Sequence, residues 1–256
     1  MILAVDIGNT NIKVGAWDND HLAFVSRLQT NPLSTCDEYA IRLLDIFRLG
    51  DFNRAMFDGA IISSVVPPLS GTITEAIERV IQTKRVFQIG PGLKTGLNIK
   101  IDNPATLGAD MVCAGVAATA KYPLPCILIS LGTATAIFAI NKNAEYLGGA
   151  VAPGVKISLD ALASRTAQLP HISLDHPTGI IGSNTVDSMK SGSIYGTACM
   201  LDGMIARMRD ELGGEATVVA TGGLSQFIIE HCREEIVYDD NIVLEGLKII
   251  YHKNVK

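Results

Sequence analysis

The chain has 256 residues, 48% hydrophobic and 18% charged, with 24 glycines and 10 prolines; this apolar, glycine-rich balance excludes intrinsic disorder. Its 21 basic and 26 acidic residues leave a net charge of −5, which argues against a surface that tracks a phosphate backbone, so no nucleic-acid partner is expected. At roughly 150 residues per domain, the length predicts one large domain or two small ones.

Met1 leads straight into the apolar run Ile2–Val5, with no basic segment or small-residue cleavage site, so no secretory leader is expected. No stretch approaches the roughly 18 to 20 apolar residues that span a bilayer, and the expectation is a cytoplasmic protein with no membrane partner. In chain order the patterning predicts strands at Ile2–Val5, Ile12–Trp17, Leu22–Leu28 and Gly59–Ser63. Helices are predicted at Tyr39–Phe47 and Ser70–Gln82. Arg85–Ile89 reads as a strand ending in Gly90-Pro-Gly92, followed by a small-residue helix from Gly108 to Ala120. Ile127–Ile129 and Ala136–Ile140 are predicted strands, then helices at Ser158–Ser164 and Asn184–Arg209. A strand at Thr217–Ala220 and helices at Ile228–Glu235 and Val243–Tyr251 complete the chain. The five cysteines (36, 113, 126, 199 and 232) form no CxxC pair, and reduced core thiols are expected rather than a disulfide or zinc framework.

The opening Ile2-Leu-Ala-Val-Asp6-Ile-Gly8-Asn-Thr10 has a counterpart, Ile127-Leu-Ile-Ser130-Leu-Gly132-Thr133, nearly half the chain away. In each, an apolar strand runs through a Gly/Thr turn into a second strand. A duplicated domain follows, divided near residue 116 into 1–116 and 117–256.

The turn Asp6-Ile7-Gly8-Asn9-Thr10-Asn11-Ile12-Lys13 puts a carboxylate at the end of a buried strand, beside backbone N–H groups that can face phosphates. Asp6 can then hold Mg²⁺ through water and Lys13 can approach phosphate oxygens; an ordinary hairpin turn has the same composition. Gly132-Thr133-Ala-Thr135 and Thr221-Gly222-Gly223 supply two further loops after buried strands, and three such loops predict a nucleotide cleft between the two halves. Asp110 lies in the first turn of its helix, where it serves either the helix dipole or, as a general base, an alcohol attacking a γ-phosphate. Spacing alone does not choose between these roles. His171 and His176 lack ligand spacing and read as surface residues. Met189, Met200, Met204 and Met208 form a helical stripe suited to core or dimer contact, and Trp17 reads as a packed strand residue.

Nine segments occur together, and in this order they resemble type III pantothenate kinases. They are Asp6–Lys13, Gly90-Pro-Gly-Leu-Lys-Thr-Gly96, Gly108-Ala109-Asp110, Gly132–Thr135, Gly148–Gly154, Thr166–Pro170, Ile181–Thr185, Thr221–Gly223 and Glu245-Gly-Leu247. The resemblance runs over essentially the whole chain. It implies an α/β fold of two duplicated ribonuclease-H-like domains of the actin-like, sugar-kinase-like ATPase superfamily, each on a mixed five-stranded sheet. It also implies a homodimer and transfer of the ATP γ-phosphoryl to pantothenate, the first step toward coenzyme A, with Mg²⁺ and a monovalent cation (K⁺ or NH₄⁺). Carried over by position, Asp6 through Lys13 with Thr133, Gly222 and Gly223 would bind ATP, with Mg²⁺ at Asp6. Asp110 would be the proton acceptor. Ile101 and Gly108 through Met111 would line the acceptor site, joined by Thr185 from across a dimer interface.

Three positions depart from the family pattern. Met111 stands where an arginine would hold the substrate carboxylate, Ile101 where a tyrosine is expected, and Ser130 where a carboxylate would bind the monovalent cation. Together they point to weakened pantothenate phosphorylation, a less anionic small alcohol as acceptor, or a non-catalytic nucleotide-binding paralogue with a regulatory or scaffold role. A compensating cation such as Lys100 or Lys156 would restore the ordinary reading. The apolar surface of the 184–209 helix exceeds one stripe, which predicts burial against a second copy.

Overall fold

The computed structural model describes residues Met1–Val255. In chain order the elements begin β1 (Ile2–Ile7), β2 (Asn11–Asp18), β3 (His21–Gln29), α1 (Cys36–Leu49), β4 (Gly59–Ser64), α2 (Pro67–Ile81), β5 (Val86–Gln88) and β6 (Asn98–Ile99). They continue α3 (Ala109–Lys121), β7 (Cys126–Leu131), β8 (Ala134–Ile140), β9 (Glu145–Pro153), α4 (Val155–Arg165) and α5 (Thr185–Leu212). The last are β10 (Thr217–Thr221), α6 (Ser225–Ile229), β11 (Val237–Tyr238) and α7 (Ile242–Asn254). The chain forms two compact units, one of residues 1–97, 102–117 and the segment from Asn241 onward, the other of 98–101 and 118–240.

In the first unit β1, β2 and β3 form an antiparallel meander, with β4 and β5 added parallel beyond β1, in the order β3-β2-β1-β4-β5. Alternation along the strands splits the apolar residues between two faces. Leu3, Val5, Ile7, Val14, Ala60 and Ile62 pack with α1 and α2 residues such as Leu43, Phe47, Ile73 and Ile77. Ile2, Ala4, Trp17 and Ile61 pack instead with Cys113 and Val116 of α3 and with Leu244, Leu247 and Ile250 of α7. Helix α1 starts at a reciprocal cap, in which the Thr35 N–H donates to Glu38 Oε2 (2.7 Å) and the Glu38 N–H to Thr35 Oγ1 (3.3 Å).

The second unit repeats the plan. Its β7, β8 and β9 form the meander, β10 and β11 are the parallel additions, and the order is β11-β10-β7-β8-β9. Ile127, Ile129 and Leu131 on one face of β7 pack with α4 and α5, whose buried residues include Leu159, Ile194, Ala198, Leu201 and Ile205. The duplication expected from the two turns is therefore present strand by strand. The second sheet has six strands rather than the expected five, because β6 pairs in parallel with the outer edge of β9.

Several boundaries differ from the expectation. In place of the expected Ile228–Glu235 helix, the short α6 lies earlier and ends at Ile229, and beyond it the Asp202 carboxylate accepts the N–H groups of Arg233 (3.0 Å) and Glu234 (3.2 Å). The glycine-rich 148–153 segment lies within strand β9, where a Cβ on Gly149 would come within 1.9 Å of the Ile137 carbonyl oxygen. The segment from Asn241 onward belongs to the first unit, not to a 117–256 half. The Trp17 indole donates to the Leu244 carbonyl (3.1 Å), and Gly246 lets α7 close on α3, where a Cβ would sit 1.9 Å from the Cys113 carbonyl oxygen. Cys113 and Cys126 are the buried thiols, whereas Cys199 is exposed and Cys36 and Cys232 are intermediate. No helix among the described residues is long and apolar enough to cross a membrane.

Candidate active site

Asp6 is the fifth residue of β1, and its side chain points to the face that α3 covers, opposite Val5 and Ile7. Register places Lys13 of β2 on one side of it and Ser63 of β4 on the other. Its Oδ1 is sealed from solvent and has no hydrogen-bond partner. Burial first, then the charge of Asp110, push its carboxyl up to about 7, while Ser63 and Lys13 pull the other way. Asp110 is the second residue of α3, and burial raises its carboxyl as well, opposed by the Met111 N–H donated to its Oδ1 at 2.9 Å. Gly108 makes room for that carboxylate, since a Cβ there would lie 2.5 Å from Asp110 Oδ1. Two carboxylates are thus held near each other on one sheet face with little to compensate them.

The turn after Asp6 is tied down by its backbone. The Gly8 N–H donates to the Asn11 carbonyl (3.0 Å), Thr30 Oγ1 donates to the Gly8 carbonyl (2.7 Å) and the Thr30 N–H to the Thr10 carbonyl (3.0 Å). Asn9, Thr10 and Asn11 stay exposed, while Ile7 and Ile12 are core residues, so only the middle of the expected phosphate segment offers polar groups to solvent.

In the second unit Ser130 takes the place of Asp6, fifth in β7, between Ala136 of β8 and Thr221 of β10. The Gly132 N–H closes on the Ala134 carbonyl at 3.1 Å, a turn one residue shorter than that at Gly8, and Thr133 is exposed at its tip. Gly222 adopts φ +107°, and a Cβ there would meet the Leu131 carbonyl oxygen at 2.5 Å, so this turn can pass close to β7 only as glycine. Gly223 beside it is open.

The residues that the resemblance assigns to the acceptor are divided between the two units. Met111 is 7% exposed, packed into the first turn of α3 after Ala109 and Asp110. Ile101 belongs to the second unit, where its Cγ2 leans over Gly148 (3.2 Å from a Cβ there). Thr185 is exposed at the start of α5, behind Asn184, whose Oδ1 caps the helix by accepting the Asp187 N–H (2.9 Å). Thr185 lines a groove of about 730 Å³ that runs along the first half of α5 past Met189, Gly192, Gly196 and Met200 to Val155 and Leu162 of α4. Of the two compensating cations, Lys100 already pairs with Glu145 (Nζ to Oε1 3.3 Å). Lys156, in the first turn of α4, is exposed and makes no ion pair among the described residues.

The sealed, unpartnered Asp6 oxygen and the nearby Asp110 suit a divalent cation, which supplies the positive charge this pair lacks. The donor set around Ser130 fits a monovalent cation poorly, since its side chain and those of Ala136 and Thr221 bring no charge. Sequence patterning missed Ser63 and Cys113. Both border Asp6, and the Cys113 thiol is pushed well up by its burial and by Asp6 and Asp110. Only the parallel pairing of β1 with β4, a contact between strands far apart in the chain, could have exposed Ser63.

Comparison with known proteins agrees with this geometry. Residues 2–207 match the family model for type III pantothenate kinases. A type III pantothenate kinase from an Exiguobacterium species is 41% identical over 256 residues, covering all of both chains, and one from Halalkalibacterium halodurans is 41% identical over 255. Among solved structures, a conserved Baf family protein from Campylobacter jejuni superposes with a TM-score of 0.59 at 20% identity, over 98% of each chain. A protein described as an N-acetylglucosamine kinase from Porphyromonas gingivalis gives 0.54 at 13% identity, over 99% of each; both likenesses speak to the fold alone. With the family model matched over residues 2–207 and 41% identity along its whole length to a relative of that name, the chain belongs to the type III pantothenate kinase family.

Proposed function

We propose that the protein transfers the γ-phosphoryl group of ATP to the primary hydroxyl of pantothenate, forming 4′-phosphopantothenate and ADP, the first step toward coenzyme A. The observation that carries this reading, beyond the family, is the partly compensated carboxylate pair Asp6 and Asp110. Asp6 would hold Mg²⁺, which neutralises charge on the transferring phosphoryl group. Asp110 accepts the hydroxyl proton as the alcohol oxygen attacks phosphorus and the bond to the β-phosphate oxygen breaks. Its burial supports that role, because a carboxyl raised from its ordinary value is a stronger base when ionised. In this reading Lys13, beside Asp6, and the Gly8–Asn11 turn would meet phosphate oxygens, as would Thr133 and the Gly222-Gly223 turn.

Met111 offers the pantothenate carboxylate no charge. Of the two compensating cations we favour Lys156, because Lys100 is held by Glu145. Ser130 supports only a weak dependence on K⁺ or NH₄⁺. The apolar groove along α5, with Thr185 at its mouth, is consistent with burial against a second copy of the chain. A coupled ADP-release assay with pantothenate and Mg·ATP, run with and without K⁺, tests the reading. Pantothenate-dependent ADP release that disappears in Asp110→Asn supports it, and nucleotide binding without any pantothenate-dependent turnover overturns it. Sedimentation of a monomer at micromolar concentration would remove the dimer.

A further inference from the structure

His176 reads from the sequence as an isolated surface residue, yet the fold of the second unit carries it to a partner more than fifty positions away. His176 lies in the 166–184 segment, which has no helix or strand and links α4 to α5. Glu230 and His231 follow directly on the last turn of α6. Glu230 Oε1 lies 3.5 Å from His176 Nδ1 and 3.6 Å from His231 Nε2. One ligand atom from each of the three residues falls within 4.8 Å of the others.

We propose that His176, Glu230 and His231 form a binding site for a transition-metal dication of the zinc class, which fastens the 166–184 segment to the end of α6. Three features of the cluster carry this. Two imidazoles and one carboxylate are the donor set that zinc takes when a fourth position is left to water. For ligands about 2.1 Å from a tetrahedral centre, neighbouring ligand atoms stand about 3.4 Å apart, close to the two measured edges of 3.5 and 3.6 Å. The third feature is His231 Nε2, which is sealed from solvent and has no hydrogen-bond partner. A ring nitrogen buried in that state costs stability unless something meets it.

His176 is exposed but rests against the Phe227 ring (centroids 4.6 Å apart), and His231 packs against Tyr195 of α5 (4.9 Å), so each imidazole has one aromatic neighbour. Cys232 does not join the set, because its sulfur turns inward to the carbonyls of Ala198 (3.9 Å) and Ile228 (3.8 Å). The nitrogen donors separate this site from the Asp6 and Asp110 pair, whose oxygen-only chemistry suits Mg²⁺. Closing the cluster would order the segment that runs into Asn184 and Thr185, at the mouth of the α5 groove.

The test is calorimetric titration of the full-length, chelator-treated protein with ZnCl₂ in the presence of millimolar MgCl₂, repeated with CoCl₂ under visible absorption. The expected result is one zinc per chain with a Kd at or below about 10 μM, and a cobalt spectrum of four-coordinate intensity. His176→Ala and His231→Ala should each weaken binding at least about 30-fold, and Glu230→Gln by less. In EDTA these variants should melt within about 2 °C of the parent, and zinc should raise the melting temperature of the parent alone. Zinc should also slow proteolytic cutting within 166–184 in the parent. One-equivalent zinc binding that survives both histidine variants would place the metal elsewhere and overturn the proposal. Binding weaker than about 100 μM, or an octahedral cobalt spectrum, would overturn it equally.

Discussion

The two strand-turn-strand units at β1/β2 and β7/β8 share an architecture and differ in charge. Each places a small polar residue at the fifth position of a buried strand, flanked by one antiparallel and one parallel neighbour, and closes a glycine turn by one short backbone bond. In the first unit that residue is Asp6, with Lys13 and Ser63 beside it and Asp110 within electrostatic reach. In the second it is Ser130, with Ala136 and Thr221 beside it. The backbone therefore tolerates either residue, and the chemistry is decided by a side chain the fold does not need. A buried, only partly compensated carboxylate lowers stability, a cost that Ser130 does not carry.

Substitution should break the likeness between the two turns most visibly in turnover. Asp110→Asn and Asp6→Asn are each expected to lower kcat at least about 100-fold in the coupled assay, while Ser130→Ala changes it less than about 3-fold. Equal losses from both turns would show that the second has kept a catalytic role. Restoring the missing charges comes next. Met111→Arg should lower the KM for pantothenate about 30-fold if it regains a desolvated ion pair worth about 2 kcal/mol. Adding Ser130→Asp should bring a K⁺ dependence, with the double change exceeding the product of the single ones.

Stability sharpens the contrast further. Asp6→Asn removes a sealed charge and should raise the unfolding free energy of the ligand-free protein by about 2 kcal/mol at pH 8, and Ser130→Asp should lower it by a similar amount. Denaturant melts with matched m-values would show whether the signs are opposite. The smallest expected difference lies in the glycines. Gly8→Ala meets the Asn11 carbonyl oxygen at 3.0 Å and should cost about 1 kcal/mol, whereas Gly132→Ala, 3.9 Å from the Ala134 carbonyl, should stay within about 0.5 kcal/mol.

Much of this pairing is legible in the residues themselves. The strands Ile2–Val5 and Ile127–Ile129 are short apolar runs ending in turn residues, and both local signals survive in the fold because their physics is local: hydrophobic burial along the strand and glycine conformational freedom at the turn. Asp6 stands out for the same reason, whereas Asp110 and the 108–110 segment stand out only through the resemblance to the family. Strand β9 cannot be read in the same way, because its paired glycines mimic a loop until Gly149 is found pressed against Ile137 and Phe138 of β8. The long helix α5 is visible in outline, but its buried stripe through Ile194, Ala198, Leu201 and Ile205 is set by what α4 and the sheet cover.

Neighbouring residues are enough to suggest the duplication, most element types and the negative charge, because each of these is a local property of the chain, whereas the roles of Asp6 and Asp110 in phosphoryl transfer come from the order of the nine family segments. The remaining features arise only on folding. The 241–255 segment returns to the first sheet, Ser63 and Cys113 come to border Asp6, and Lys100 is held by Glu145. Folding also brings His176 to Glu230 and His231. One cause underlies all four: burial and charge compensation depend on residues distant in the chain, and no local pattern records which of them will meet.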